Sequence, residues 1–430
     1  MKKLLFVITL IALSSLKLHA QKLSRTERKI IQKVKSFDES SLSFLEKVVN
    51  INSGTLNQEG VKEVGEVFDL AFREIGFQTE WIDMPAEMNR AGHLFASIDG
   101  DKGKKLLLIG HLDTVFEENS PFQTFERIND SLAYGPGAND MKGGDVVILY
   151  ALKALAELNL LKRATITVAL TGDEESTGKP LTISRKSLID AGKKADIALG
   201  FENATGFENA TLARRGASGW KVEVKGVRAH SSGVFNERIG AGAIFEMSRI
   251  LNAFYEEVRG EEYLTFNPGT LLGGTFVNYD KQTSSGDVFG KTNVVAQKAV
   301  VHGGLRFISE EQKENARSKM REIVSQNLPQ TSARIEFIDS YPAMGPTEGN
   351  KAVLETLSEV SQDLGFGPVT GYDPSRRGAA DISFVADFTD GLDGLGTMGS
   401  GAHTPQEIVN LKTMNALIQR SAILIYRLTR

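Results

Sequence analysis

Apolar residues recur at helical spacing early in the chain. Ile30, Ile31, Val34 and Phe37 mark one face, and the pattern predicts a single helix over residues 26–49. A second helix is predicted over 62–75, stopping at Gly76, a residue suited to a C-terminal cap. The run Leu106-Leu107-Leu108-Ile109 is continuous rather than alternating, as a strand buried on both faces reads, and it ends at Gly110. A helix over 145–158 and another buried strand over 164–170 follow. Strand-helix-strand alternation of this kind predicts an α/β fold with a mostly parallel central sheet.

The texture changes near Arg214. Residues 219–225 alternate as a half-buried strand does, 239–254 read as a helix, and Gly273-Gly274-Thr275 belongs to a further strand. Strands over 292–301 and 334–338 are separated by a helix over 310–327. This β-α-β-β-α-β order predicts a ferredoxin-like α+β module. From about Pro342 the α/β texture resumes, with helices over 351–364 and 413–428. The expected organisation is a leader at 1–20, a first domain split between 21–213 and 342–430, and an inserted domain at 214–341.

Composition narrows the classes. A chain of 430 residues is too long for one ordinary core. With a net charge of -4 and no basic run, neither nucleic acid nor an anionic membrane is an expected partner. Lys2 and Lys3 precede an apolar stretch at 4–13, and Leu18-His19-Ala20 offers a cleavage site before Gln21. That layout reads as a secretory signal peptide, so the protein is expected to be exported, periplasmic or secreted. The alternative is an apolar helix retained in the fold. No other stretch is expected to span a membrane. The absence of cysteine excludes disulfides and thiol nucleophiles, and leaves any metal to nitrogen and oxygen ligands.

Candidate chemistry gathers at strand ends, where open α/β sheets place their ligands. Gly110-His111-Leu112-Asp113 follows the first buried strand, and Asp113 is close enough in sequence to hold the second ring nitrogen of His111. A surface histidine in a turn is the bland alternative. Tyr134-Gly135-Pro136-Gly137-Ala138-Asn139-Asp140-Met141-Lys142-Gly143-Gly144 surrounds one acid with glycines, and an aspartate has two oxygens with which to bridge two cations. A phosphate loop is the rival, but the Gly-Lys-Ser/Thr ending is missing. Thr171-Gly172-Asp173-Glu174-Glu175 ends the next strand. One glutamate there can bind metal while the other moves a proton, unless the pair is only a solvated acidic turn. Glu202 follows Ala198-Leu199-Gly200-Phe201, and His403 lies in Gly401-Ala402-His403-Thr404-Pro405-Gln406-Glu407. Two histidines and three carboxylates, one bridging, would complete two zinc sites.

The order and spacing of these motifs resemble the two-zinc metallopeptidases that include glutamate carboxypeptidase, aminoacylase and succinyl-diaminopimelate desuccinylase. The resemblance runs from about Phe44 to the C-terminus. It implies a zinc-peptidase catalytic domain interrupted by a lid or dimerisation domain, and two Zn2+ held by His111, Asp140, Glu175, Glu202 and His403, with Asp140 bridging. It also implies Asp113 as the residue orienting His111, Glu174 as general base and His230, in Gly226-Val227-Arg228-Ala229-His230-Ser231-Ser232, as an oxyanion donor. Asn293 and Arg306 resemble substrate-contacting lid residues, and Gly378-Ala379-Ala380-Asp381 resembles the segment beside the substrate carboxylate, where Arg376 or Arg377 could pair with it. Gly304 departs from the pattern, standing where an acid usually precedes Leu-Arg. Insertions also separate Gly273-Gly274-Thr275 from Asn293.

The implied activity is cleavage of a small peptide or N-acyl amino acid, with a glutamate-carboxypeptidase-like exopeptidase preferred because the ligand at 202 is Glu. Aminoacylase or dipeptidase activity on the same site is the alternative. A reading of a different class is an exported zinc- or peptide-binding protein without catalysis. Relatives implied by the resemblance often form homodimers through the inserted domain, and in some the lid histidine serves the neighbouring subunit.

Overall fold

The computed structural model describes residues 23–281 and 283–430, so the predicted leader at 1–20 lies outside the described residues. A six-stranded sheet forms the centre of the first domain, in the order Gln78–Ile82, His93–Ile98, Ile166–Thr171, Leu106–His111, Ile197–Gly200, Asp390–Leu392. The last four strands run parallel, and the first two are antiparallel additions at one edge. The mostly parallel α/β expectation therefore holds, with a mixed edge.

Burial explains the unbroken apolar run at 106–109. Leu106 and Leu108 face the larger core beneath the helices Lys142–Glu157 and Leu411–Leu428, while Leu107 and Ile109 face a second core with Ala198, Ile382 and Val385. A strand covered on both sides has no face to leave polar. Leu106 pairs with both Ile166 and Ile197, so three parallel strands end together and deliver His111, Gly172 and Phe201 to one edge.

Two helix expectations need correction. Residues 26–49 form two helices, Arg25–Lys35 and Asp38–Val49, broken at Ser36 and Phe37. At the break Phe37 packs on Tyr150 with ring centroids 5.6 Å apart. The helix expected over 239–254 is Ala243–Ala253, followed by a single wider turn at Phe254–Val258.

Residues 216–339 build a second sheet, antiparallel throughout, in the order Thr265–Gly274, Lys298–Phe307, Gly216–Lys225, Ser332–Asp339. This is the second, third, first and fourth strand of a ferredoxin-like module. Helices Ala243–Ala253 and Glu310–Ser325 cover one face over Trp220, Val222, Ile250, Leu305 and Met320. The strand expected at 292–301 begins only at Lys298. A hairpin that the pattern did not reveal, Phe276–Asp280 with Ser285–Phe289, takes up the preceding insertion. Two chain crossings connect this module to the first domain, and they pair with each other, Arg214 and Met344 exchanging backbone hydrogen bonds of 2.9 Å. Among the described residues no helix is long and apolar enough to cross a membrane.

Candidate metal centre

His111 is the last residue of its strand and is 1% exposed. Its Nδ1 lies 3.0 Å from the backbone oxygen of Asp113 and 3.3 Å from that residue's Oδ1. Both neighbours are acceptors, so Nδ1 carries a proton and Nε2 is the nitrogen left to face a cation. Nε2 is buried without a hydrogen-bond partner, 3.6 Å from Asp140 Oδ1 and 3.7 Å from Glu202 Oε1. Those separations are too long for hydrogen bonds and leave space for a cation between nitrogen and carboxylates.

Asp140 reaches this point from the glycine-rich loop ahead of the helix Lys142–Glu157. A side chain at Gly144 would meet the carbonyl oxygen of Phe201 at 2.0 Å, so only glycine lets the helix start pass this close to the Glu202 strand end. The second oxygen of Asp140 lies 3.2 Å from His403 Nε2, and Glu175 Oε2 lies 3.1 Å from the same nitrogen. One carboxylate thus faces two imidazoles with different oxygens. Donor atoms of His111, Asp140 and Glu175 lie within 4.8 Å of one another, as do those of His111, Glu174 and Glu202.

The electrostatics are those of a site built around positive charge. Burial pushes the carboxyl groups of Glu174, Glu175 and Glu202 up, with neighbouring carboxylates adding to it, and Glu202 reaches about 8. Burial alone would lower His111, but Asp113 and Asp140 raise it well above its usual value. Asp140 and Glu175 lift His403 to about 11. Like charges 4 Å apart repel by roughly 4 kcal/mol at an effective dielectric near 20, so four clustered acids call for cations among them. The orphaned His111 nitrogen and the all-nitrogen-and-oxygen donor set fit a divalent metal.

Asp113 does more than expected. Beyond touching His111, its carboxylate accepts from Thr55 Oγ1 at 2.6 Å and from the backbone N–H groups of Glu174 and Glu175, both at 3.1 Å. It therefore holds the histidine and the two glutamates in one frame. Tyr341, at the return crossing from the inserted domain, donates to the Glu174 carbonyl at 2.7 Å. Asp393 accepts from the Glu202 N–H at 3.3 Å and pairs with buried Arg214 at 2.6 Å. Thr55, Tyr341 and Asp393 carry no signal in the sequence that would have found them.

The substrate-side candidates divide. Arg377 lies beside the centre, its guanidinium donating to Asn203 Oδ1 at 3.0 Å and Asn203 O at 3.2 Å, with Nε buried and unpartnered. Arg376 instead stacks on Tyr372 at 5.2 Å. Arg306 stands exposed on the inserted sheet and makes no ion pair among the described residues. His230 and Asn293 are exposed and adjacent, Ser231 N donating to Asn293 O at 2.9 Å. Ser232 N donates to His230 Nδ1 at 3.2 Å, which places the ring proton on Nε2 as a free donor. The ring of His230 bonds only to Ser232 and not to His111, Asp140, Glu174, Glu175, Glu202 or His403.

Residues 107–427 match the model of peptidase family M20/M25/M40. The chain belongs to this family. It is accordingly a hydrolase of the metallopeptidase and amidohydrolase class. Carboxypeptidase G2 of Pseudomonas sp. (strain RS-16) is 26% identical over 385 residues, which cover 89% of this chain and 87% of that protein. Aminopeptidase PepT of Bacillus cereus ATCC 10987 shares the fold with a TM-score of 0.72 at 19% identity, over 91% of this chain and 98% of that one. Bacillus subtilis YXEP, a dinuclear metal binding peptidase of the M20 family, gives 0.61 at 14% identity, over 92% and 99%.

Proposed function

We propose that this chain is an exported two-zinc exopeptidase that releases a C-terminal, glutamate-like residue from an N-blocked substrate. The observation that carries the proposal is Asp140, one buried carboxylate set between the imidazoles of His111 and His403. His111, Asp140 and Glu202 would hold one ion, and Asp140, Glu175 and His403 the other. Bound zinc lowers the pKa of water and stabilises negative charge on a carbonyl oxygen.

The chain's own groups do the rest. Glu174, with its carboxyl raised by burial, takes a proton from the attacking water and returns it to the leaving nitrogen. His230 donates its Nε2 proton to the oxyanion once motion of the inserted domain, or a second copy of the chain, brings it to the centre. Arg377 pairs with the C-terminal carboxylate, Asn203 fixing the plane of its guanidinium. Arg306 and Asn293 contact the substrate from the inserted domain. Similarity to a carboxypeptidase over most of both chains supports this substrate class. Export rests on the leader pattern at 1–20. Phe235 and Phe245, their ring centroids 5.5 Å apart, are each more than half exposed on the inserted domain, and we assign this patch to a second copy.

The test is hydrolysis, with zinc added, of N-acetyl amino acids, folate-like glutamate amides and free dipeptides. The expected result is chelator-sensitive release of glutamate from the blocked substrates. Activity confined to N-acetyl amino acids or free dipeptides would replace the substrate class, and no activity on any of them would favour a binding protein.

A further inference from the structure

Glu407 occupies a place that no ligand assignment explains. It is 1% exposed, and its Oε1 accepts from the backbone N–H of Asn139 at 2.8 Å and of Asp140 at 3.0 Å. Its backbone oxygen also accepts from Gly135 N at 3.3 Å. A closed ring results. Asp140 Oδ2 meets His403 Nε2 at 3.2 Å, the chain runs from His403 to Glu407, and Glu407 returns to the N–H of Asp140 itself.

His403 needs such an anchor and His111 does not. His111 is fixed in a buried strand and held by Asp113. His403 is 57% exposed by side chain, sits on a loop and has a φ of +64°, in the left-handed region that favours glycine. Buried Lys142 offers a competing account of Glu407 as a mere counter-charge. The Lys142 ammonium, however, donates to the carbonyls of Val48 and Ile51 at 3.0 and 2.8 Å and forms no ion pair with Glu407. The side-chain bonds of Glu407 go to the loop that carries Asp140.

We propose that Glu407 is a positioning residue that sets the separation of Asp140 and His403, and so governs metal affinity at the position shared with Glu175. The other position, that of His111 and Glu202, depends on it less. The inference rests on the two-metal reading above. Carboxylates that support metal ligands in this way typically contribute about 10–100-fold in metal affinity.

Zinc titration of metal-free protein against a chromogenic chelator tests this, alongside the melting temperature of the metal-free proteins. Glu407→Gln keeps the acceptor oxygen, whereas Glu407→Asp keeps the charge but is one methylene too short to reach both N–H groups. Wild type is expected to take two ions and Glu407→Gln two within about threefold, while Glu407→Asp loses about tenfold or more at one position only. Metal-free Glu407→Asp should still melt in one cooperative transition, so that a weakened position is not a failure to fold. Equal affinity in Glu407→Asp and wild type, or Glu407→Gln as weak as Glu407→Asp, overturns the proposal and leaves the metal centre standing. A wild type that binds no zinc removes the metal centre and the proposal together.

Discussion

His111 and His230 each have a polar neighbour two residues along the chain, and the protein holds them in opposite ways. His111 is buried, fixed by Asp113, and aims its second ring nitrogen at two carboxylates. His230 is exposed, its ring bonded only to Ser232, and its Nε2 is left without a partner among the described residues. The first is organised before any ligand arrives. The second is organised locally but delivered from elsewhere. The same contrast separates the two regions as wholes. Asp113, Asp393 and Glu407 lock the metal centre across long stretches of chain, whereas Asn293 and Arg306 stand on a module with its own core. Metal binding should therefore be independent of the inserted domain's candidate residues, and turnover should require both regions.

The strongest way to break that division is Glu174→Gln. Turnover should fall by about 10⁴-fold while zinc content stays at the wild-type level. Retained turnover would show that proton transfer belongs to another group. His230→Ala comes next, with kcat expected to fall about 10²–10³-fold at unchanged zinc content and melting temperature. Lost zinc in that variant would mean that the two regions are not separable. Mixing His230→Ala with Glu174→Gln protein sharpens the point, since recovered activity would place His230 in the neighbouring subunit's site. Arg377→Lys should have the smallest effect. A rise of about 10–100-fold in KM with kcat little changed is expected, because lysine cannot make the paired contact to a carboxylate. A fall in kcat alone would remove Arg377 from substrate binding.

Much of the centre could be read from the sequence because its residues follow apolar runs or sit among glycines. His111 ends its strand, Glu175 and Glu202 follow theirs, and the parallel register brings the three strand ends to one edge. The supporting residues carry no such signal. Glu407 acts 267 residues away from its partner Asp140, and Tyr341 acts 167 residues away from Glu174, so only folding reveals either role. Phe37 shows the same limit at the level of fold. Its spacing with Ile30 and Val34 is helical, yet the chain turns at Ser36 and Phe37 between two helices, and the apolar spacing carries no sign of that turn. The hairpin after Gly274 escaped for another reason. Four of its five residue pairs are exposed on both strands or only partly buried, so no apolar pattern marks it.

The most direct test is an anomalous difference map, collected at the zinc edge from crystals grown with zinc. Two peaks are expected on either side of Asp140, one beside His111 and Glu202 and the other beside Glu175 and His403. A single peak, or none between these residues, would contradict the two-metal account.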